Sequence, residues 1–206
     1  MSNAIAFFDF DGTLTQSDSL LPFLRAVRGQ KRFWLDMLAV SPWLAMYALK
    51  ILPNHKAKER LLRQALLGMD KAELYAKGAA FADTLSGGQL NALMLEKLKC
   101  HQEAGHITVL VSASLDVYLE YWSELFGFDY CLCSKLNCSD DGVVSGALEG
   151  GNCFGHEKVR RIKELLREKP HSMKTFAYGD SVGDMPMLEL VDEGYLYKKG
   201  RLALIR

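Results

Sequence analysis

Short, continuous apolar runs occur at three places in the chain, and each is followed by a polar turn. These runs are residues 4 to 8 (AIAFF), 106 to 111 (HITVLV) and 175 to 178 (TFAY). Between them, apolar residues recur with helical spacing, for example over 115 to 126. Short buried strands that alternate with helices are typical of a parallel sheet with right-handed crossovers. The pattern therefore predicts an α/β fold.

Two further patterns extend this prediction toward the C-terminus. The string DDG at 140 to 142 is a turn signal between short apolar segments, and it predicts a β-hairpin within 128 to 150. Beyond it, a helix is expected from near His156 until Pro170 ends it.

The segment from 17 to 85 differs from the rest of the chain because it has a 3.6-residue periodicity and no convincing strand. Residues 56 to 69 and 70 to 85 are good helix formers in amphipathic order. Asp70 is expected to cap the second of these helices, with Glu73 three residues further on. The segment therefore predicts an all-helical insertion.

Residues 33 to 52 are unusually hydrophobic, with 16 apolar residues in 20. A buried pair of helices is the leading interpretation, and an interfacial surface that touches membrane or lipid is the second. A true transmembrane span is the weakest, because Asp36 is costly in lipid and Pro42 should kink or split the helix.

The length of the chain agrees with one core and an insertion. Its 206 residues lie between one and two typical domains of roughly 150 residues. We expect a Rossmann-like catalytic core formed by 1–16 and 86–206, and a small all-helical cap domain formed by 17–85.

Composition and charge narrow the classes of function. Hydrophobic residues make up 49% of the chain, as in globular proteins, and the 25 cations balance the 25 carboxylates. A neutral chain has no global field for nucleic acid, which is excluded as a bulk partner. The start, MSNAIAFFDFDG, lacks the basic region of a signal peptide, and the five cysteines do not suggest a disulfide framework, so we expect a cytoplasmic location. Zinc held by cysteines is a minor alternative, because CLCSKLNC lacks the usual spacing.

Asp9 and Asp11 are the first candidates for chemistry. They lie two residues apart at the end of the first strand, so both side chains are expected to point the same way, about 6 to 7 Å apart. One carboxylate could attack while the other moves a proton, and like charges this close require a shared proton or a metal. Taken alone, the pair is equally compatible with aspartates that cap a turn.

Polar residues at the ends of the other elements favour the chemical interpretation. Because the carboxyl ends of parallel strands share one edge of the sheet, we expect these polar residues to converge with Asp9 and Asp11. Four carboxylates with no histidine suggest a hard cation such as Mg²⁺, and a lysine with a hydroxyl suits the oxygens of a phosphoryl group. The additional residues are Ser112, Lys158, Asp180 and Asp184.

These residues resemble the four motifs of the haloacid dehalogenase superfamily, in the order and spacing of its phosphatases. The motifs are the string DFDGTLT from Asp9, Ser112 after an apolar strand, Lys158 in a helix, and GDSVGD from 179 to 184. The resemblance covers the catalytic core almost from end to end. The helical insertion after the first motif is similar to the subgroup that holds phosphoserine phosphatases and phosphatidylglycerophosphate phosphatases.

The resemblance implies a Mg²⁺-dependent phosphomonoester hydrolase that acts through an aspartyl-phosphate. Asp9 would be the nucleophile, and Asp11 would protonate the leaving alkoxide and then activate water. The presence of Asp11 favours phosphoryl chemistry over carbon–halogen cleavage. Mg²⁺ would be held by Asp9, the backbone carbonyl of Asp11 and Asp180, with Asp184 supporting from the second shell or through water. Ser112 and Lys158 would bind the phosphoryl oxygens.

The substrate is less clearly indicated than the chemistry. Phosphoserine phosphatases carry a glutamate where this chain has Asp18, and an asparagine where it has Gly183. The apolar cap favours a lipid-linked phosphate over a small amino-acid phosphate. Asp18, Arg60 and Arg63 are possible substrate contacts from the cap, although solvated helix charges are the more ordinary role for the two arginines. A non-catalytic scaffold or membrane-associated binding protein of the same fold is the alternative function.

Overall fold

The computed structural model describes residues 4–85, 89–170 and 172–205. The strands of the described part are β1 Ala4–Phe8, β2 Ile107–Leu115, β3 Tyr130–Cys138, β4 Val144–Glu149, β5 Lys174–Gly179, β6 Glu193–Lys198 and β7 Arg201–Leu204. The helices of that part are α1 Leu20–Arg28, α2 Gln30–Ala48, α3 Asn54–Leu66, α4 Lys71–Leu85, α5 Ala92–Glu103, α6 Asp116–Leu125, α7 His156–Arg167 and α8 Met185–Leu188.

The seven strands form one sheet in the order β4-β3-β2-β1-β5-β6-β7. The five central strands, which are β3, β2, β1, β5 and β6, pair in parallel. The edge strands β4 and β7 pair antiparallel with their neighbours. This arrangement confirms the predicted α/β class and the β3–β4 hairpin. The edge hairpin of β6 and β7 was not predicted, because its strands are half-exposed and lack a continuous apolar run.

The sheet is buried on both faces, as its central strand shows. In β1, Ala6 and Phe8 join a core that also receives α1, α3, α4, α5 and α6. Ile5 and Phe7 point the other way, into a second core closed by α7 and α8. Since successive side chains of a strand alternate between faces, a strand buried on both sides must be apolar throughout, which explains the run AIAFF.

The register of the central strands brings their carboxyl ends to one level. Phe8, the last residue of β1, is paired with Leu110 of β2 and with Tyr178 of β5. The residues that follow these three positions therefore come together at one edge of the sheet. β2 continues to Leu115 instead of ending at 111, with an irregular register against β3 between Ser112 and Leu115.

Four helices connect β1 to the segment before α5, as predicted for 17–85. The predicted cap at Asp70 is confirmed, because its carboxylate accepts the backbone N–H of Glu73 at 2.9 Å. The expected cap-domain boundary at 85/86 lies beside residues 86–88, which are outside the described ranges.

Two expectations for the hydrophobic segment 33–52 were wrong. The first was that Pro42 would split the helix, since α2 runs through it as one helix. Proline cannot donate a hydrogen bond to the carbonyl four residues earlier, and here the hydroxyl of Ser41 donates to that carbonyl, Leu38 O, at 2.8 Å. The freed acceptor is thus satisfied without ending the helix.

The second was burial, because α2 buries only Phe33, Asp36 and Val40. Asp36 is tolerated there because Arg28 donates to its carboxylate at 2.7 Å and Gln64 donates at 3.0 Å. Within the described ranges, α2 and every other helix fall short of the combined length and hydrophobicity that a bilayer crossing requires.

Candidate active site

Asp9 is the first residue after β1, and the sheet fixes its backbone. Its N–H donates to the carbonyl of Tyr178 on β5 at 2.9 Å. The side chain is buried, and one of its carboxylate oxygens accepts a hydrogen bond from the Thr13 hydroxyl at 3.0 Å. The other oxygen, which faces Lys158, is described below. Strand and turn together hold this carboxylate in one orientation.

Asp11 does not lie on the strand, so the expectation of two side chains on one strand face was wrong. β1 ends at Phe8, and residues 10 to 14 form a tight turn in which Gly12 has a φ of 80°. A Cβ added to Gly12 would lie 2.3 Å from Oδ2 of Asp180, so both the conformation and the space require glycine. The turn carries Asp11 into the same cavity as Asp9.

The surroundings of Asp11 favour its protonated form. Burial and the nearby charge of Asp18 raise the pKa of the Asp11 carboxyl to about 6, while hydrogen bonds from Ser114 and Ser19 oppose the shift. The Ser19 N–H donates to Oδ1 at 2.8 Å, and the Ser114 hydroxyl donates to Oδ2. A carboxyl held this way can give a proton near neutral pH and take one back.

Lys158 is the cation of the site. It lies in the first turn of α7 with its side chain 2% exposed, and its ammonium donates to Asp9 Oδ1 at 2.5 Å and to Asp184 Oδ1 at 2.7 Å. Burial opposes the charged amine, but the two carboxylates outweigh burial and hold the pKa of Lys158 above its ordinary value. Asp9 and Asp184 thus supply the negative charge that stabilises this buried ammonium.

Asp180 and Asp184 complete the acidic side of the site. The loop after β5 is tight enough that a Cβ on Gly179 would lie 2.5 Å from Asp184 Cβ. Asp184 accepts hydrogen bonds from the N–H and the hydroxyl of Ser181, at 3.1 and 2.6 Å. Burial would raise the pKa of Asp184, but Lys158 and Ser181 lower it overall.

Three carboxylates of this group have the geometry of a cation site. One oxygen each of Asp9, Asp180 and Asp184 lies within 4.8 Å of the others. Burial outweighs Lys158 and raises the pKa of Asp9, and burial with the charge of Asp184 raises that of Asp180. A cation bound at these oxygens would stabilise the ionised carboxylates and so lower both pKa values. One lysine does not neutralise three carboxylates, so a hard divalent cation with oxygen ligands fits the donor set.

Ser112 and Asp18 line the same cavity, which has a volume of about 520 Å³. Ser112 is buried and its hydroxyl oxygen accepts the N–H of Ser114 at 3.0 Å, in the irregular part of β2. Asp18 is exposed and accepts the N–H of Leu20 at 3.0 Å. The six residues expected to converge do so, and Asp18 joins them.

Arg60 and Arg63 are not among the residues that line the cavity. The Arg60 guanidinium lies 4.3 Å from the ring centroid of Trp43, so its partner is an aromatic face. The backbone of Arg63 packs against Gly146 of β4, where an added Cβ would lie 2.4 Å from Arg63 Cα. The expectation that these arginines contact substrate is therefore not supported.

Lys58 is the cavity residue that sequence reasoning missed. It comes from α3, and its ammonium donates to Asn152 Oδ1 at 3.0 Å and to the carbonyl of Ala113. Burial lowers its pKa to about 8 against the opposing charges of Asp11 and Asp18. No local pattern distinguishes Lys58 from the other lysines of an amphipathic helix, since its partners lie 55 and 94 residues away.

The arrangement can therefore hold an anion between a nucleophile and a proton donor. Asp9 supplies a buried carboxylate oriented by Thr13 and Lys158, and Asp11 supplies a carboxyl with a raised pKa in the same cavity. Lys158, Ser112 and a cation at the three aspartates would face the anion with positive charge and a hydroxyl donor.

Comparison with protein families identifies the class of this protein. The model of the haloacid dehalogenase-like hydrolases matches residues 6–189, so the chain belongs to that family. This confirms the resemblance of the motifs, and the match spans every site residue described above.

Two relatives are similar to this chain over most of its length, and one of them is named a phosphatase. The chain is 35% identical over 197 residues to Protein CicA of Caulobacter vibrioides, covering 95% of this chain and 87% of that protein. It is 30% identical over 193 residues to the phosphoserine phosphatase SerB1 of Mycobacterium tuberculosis, covering 91% of this chain and 62% of that protein. The family and these relatives support the predicted enzyme class, a phosphatase.

Solved structures share the fold. A protein of unknown function from Bordetella pertussis superimposes with a TM-score of 0.77 at 24% identity, over 93% of this chain and 88% of that one. A phosphoserine phosphatase solved as a phospho-aspartyl intermediate analogue superimposes with a TM-score of 0.60 at 18% identity, over 93% and 84% of the two chains. These likenesses confirm the α/β fold with its mostly parallel sheet.

Proposed function

We propose that this protein is a Mg²⁺-dependent phosphomonoester hydrolase that works through an aspartyl-phosphate, the acyl phosphate of Asp9. The observation that carries the proposal is the cluster that Asp9 forms with Lys158, at 2.5 Å, and with Asp180 and Asp184, with Asp11 in the same cavity. A buried carboxylate next to a cation site and a lysine is suited to attack a phosphoryl group whose charge those cations stabilise.

The first half-reaction follows from the two aspartates. A carboxylate oxygen of Asp9 forms a bond to phosphorus as the bond from phosphorus to the alcohol oxygen breaks, and the Asp11 carboxyl gives its proton to that oxygen. The pKa of about 6 at Asp11 keeps a useful protonated fraction near neutral pH. The alcohol leaves, and Asp11 is then a carboxylate.

The second half-reaction uses Asp11 in reverse. Its carboxylate removes a proton from a water molecule that attacks phosphorus, the bond between phosphorus and Asp9 breaks, and inorganic phosphate is released. Lys158 and the Ser112 hydroxyl hold the phosphoryl oxygens throughout. Asp9, Asp180, the Asp11 carbonyl and Asp184 are the residues that would hold Mg²⁺, which would neutralise the substrate phosphate and favour attack by an anionic nucleophile.

The substrate class is inferred from the residues of segment 17–85 that line the cavity. We propose 17–85 as the cap domain that selects the substrate, with apolar wall residues Leu20, Leu44, Ala57 and Leu61 beside polar Lys58 and Asp18. Such a wall suits an amphiphilic alcohol with a charged or hydroxylated head next to the phosphate, as in a lipid-linked phosphate. A phosphoserine-like substrate is the second candidate, supported by the similarity to the SerB1 phosphatase.

We also infer that the protein acts in the cytoplasm, peripheral to the inner face of the membrane. The five cysteines are unpaired, and Cys133 and Cys153 are buried as thiols, which suits a reducing compartment.

The test of the proposed function is a comparison of Asp9→Asn with Asp129→Asn, an exposed aspartate near β3 that does not line the cavity. Both proteins are assayed with a chromogenic phosphate ester and with a panel of soluble and lipid phosphates, with Mg²⁺ or with excess chelator. We expect Asp9→Asn to lose turnover, Asp129→Asn to keep it, and chelator to abolish it. Full activity of Asp9→Asn, or turnover in chelator, would contradict the proposal. An inactive wild-type protein across the panel would support a scaffold role instead.

A further inference from the structure

The outward side of α2 is an exposed apolar surface, which we call the α2 outer face. Its largest side chains are strongly exposed, with Trp34 at 57%, Leu35 at 65% and Leu38 at 71% of their full area. The face continues along the helix and just past its end through exposed Pro42, Ala45, Met46 and Leu49.

The spacing of these residues places them on one side of the helix. At about 100° per residue, positions 34, 35, 38, 42, 45, 46 and 49 fall within about 120° of the helix circumference. The buried residues Phe33, Asp36 and Val40 lie on the opposite side, against the rest of the protein. A surface helix needs only one apolar face to pack, so the second face is available for another partner.

The surroundings of this face are strongly cationic. Between residues 19 and 56 the sequence has six lysines and arginines and a single carboxylate, Asp36, in a chain of zero net charge. Asp36 is buried and paired with Arg28 at 2.7 Å. Exposed Lys31 and Arg32 lie at the start of the face, and exposed Lys50 lies at its end. The apolar face therefore has positive charge at both ends.

We propose that the α2 outer face binds an anionic lipid surface. The apolar side chains would enter the boundary between headgroups and acyl chains, while the cations at the two ends would contact lipid phosphates. A second copy docked face to face would bring the same cations together, which disfavours that occupant. The proposal goes beyond the proposed function, because lipid binding of this face does not require Asp9 to act as a nucleophile.

The position of the α2 outer face relative to the active site connects lipid binding with catalysis. The inner side of the same helix contributes Leu44 and Tyr47 to the wall of the catalytic cavity. A helix with its side chains is about 10 Å across, so a bound surface would lie about one helix diameter from that wall. A phosphate ester anchored in the lipid could then reach the cavity from the side of α2.

The experiment measures flotation of the full chain with vesicles of phosphatidylcholine alone and of phosphatidylcholine mixed with phosphatidylglycerol. The apolar variant is Leu35→Ser with Leu38→Ser, matched by Leu125→Ser, a leucine of α6 that is 54% exposed. The charge variant is Lys31→Glu with Arg32→Glu, matched by the exposed Lys99→Glu of α5. Thermal unfolding of each variant verifies that it folds.

We expect the wild-type protein to float with the anionic vesicles only, and its binding to weaken as salt is raised. Each double variant should lower the partition coefficient about tenfold or more, and each control should leave it unchanged. Asp9→Asn should bind like the wild type, which separates this proposal from the catalytic one. The proposal is overturned if the protein does not float, if the two vesicle types bind it equally, or if the double variants float like the wild type. It is also overturned if light scattering shows a dimer that Leu35→Ser with Leu38→Ser dissociates, because a second copy would then cover the face.

Discussion

Replacement of Lys158 by methionine tests how the site tolerates its buried charges. Lys158 is 2% exposed and is bonded to Asp9 and Asp184. Methionine keeps much of the apolar stem and removes the charge. Loss of one partner of a buried ion pair costs about 3 to 5 kcal/mol when the other charge remains uncompensated.

The cost should depend on pH, with a sign that follows from Asp184. Burial raises the pKa of this carboxyl, and Lys158 is the largest opposing influence, so its pKa should rise above the unfolded value in the variant. A folded-state pKa above the unfolded one costs stability as the pH rises, by about 1.4 kcal/mol per pH unit for each extra proton bound. The variant should therefore be closest to wild-type stability at about pH 4, near the unfolded-state pKa of an aspartate, and lose most at about pH 8.

The assay is urea unfolding of the variant and the wild type at several pH values, without added metal. Lys163→Met, an exposed position on the same helix, is the control and should be neutral at all pH values. Addition of Asp184→Asn to the Lys158→Met variant should recover stability at high pH, since it removes the uncompensated charge. A loss of stability that does not change with pH, or a double variant no more stable at high pH, would refute the electrostatic reasoning.

Four further predictions concern residues around Asp9. Asp11→Asn should lower turnover of alkyl phosphates by about 10² to 10⁴-fold, because the leaving alkoxide then lacks its proton donor. A nitrophenyl ester, whose leaving group needs no proton, should still give a burst of nitrophenolate. Loss of this burst to the same extent as loss of alkyl phosphate turnover would contradict the assigned role. In the wild type, the acid step should weaken as pH rises through about 6, because Asp11 then loses its proton, and a pH profile of kcat/KM for an alkyl ester measures this. Lys58→Met should raise KM for substrates with an acidic head by about tenfold and leave simple alkyl phosphates unaffected, as steady-state kinetics would show. Gly12→Ala should abolish activity, since its Cβ would lie 2.3 Å from Asp180, and normal turnover would contradict the geometry.

The residues closest to the chemistry were the most predictable from sequence, for a physical reason. Asp9, Ser112 and Asp180 follow apolar runs that can only be strands buried on both faces, and parallel strands bring their carboxyl ends together. Lys158 was recognisable because a cation in the first turn of a helix is unfavourable unless an anion lies nearby. These signals are local, and each can be recognised without knowledge of the rest of the fold.

Lys58 and the arginines were not predictable, because their environment depends on contacts across the chain. Lys58, Arg60 and Arg63 share one amphipathic helix, and the sequence offers no ground for choosing among them. The structure turns Lys58 toward Asn152 and Ala113 in the cavity and stacks Arg60 on Trp43. The tilt and rotation of α3 against the core decide which of these cations faces the cavity.

The hydrophobic helix α2 shows how a wrong prediction about packing leads to a functional argument. Hydrophobicity alone predicted burial, because apolar residues usually pack inside. The apolar positions of α2 occupy both sides of the helix, however, and the protein covers only the side of Phe33 and Val40. A second apolar side is costly in water and is retained where something else covers it. With Leu44 and Tyr47 of the same helix lining the catalytic cavity, the feature that defeated the burial prediction connects the active site to the proposed lipid surface.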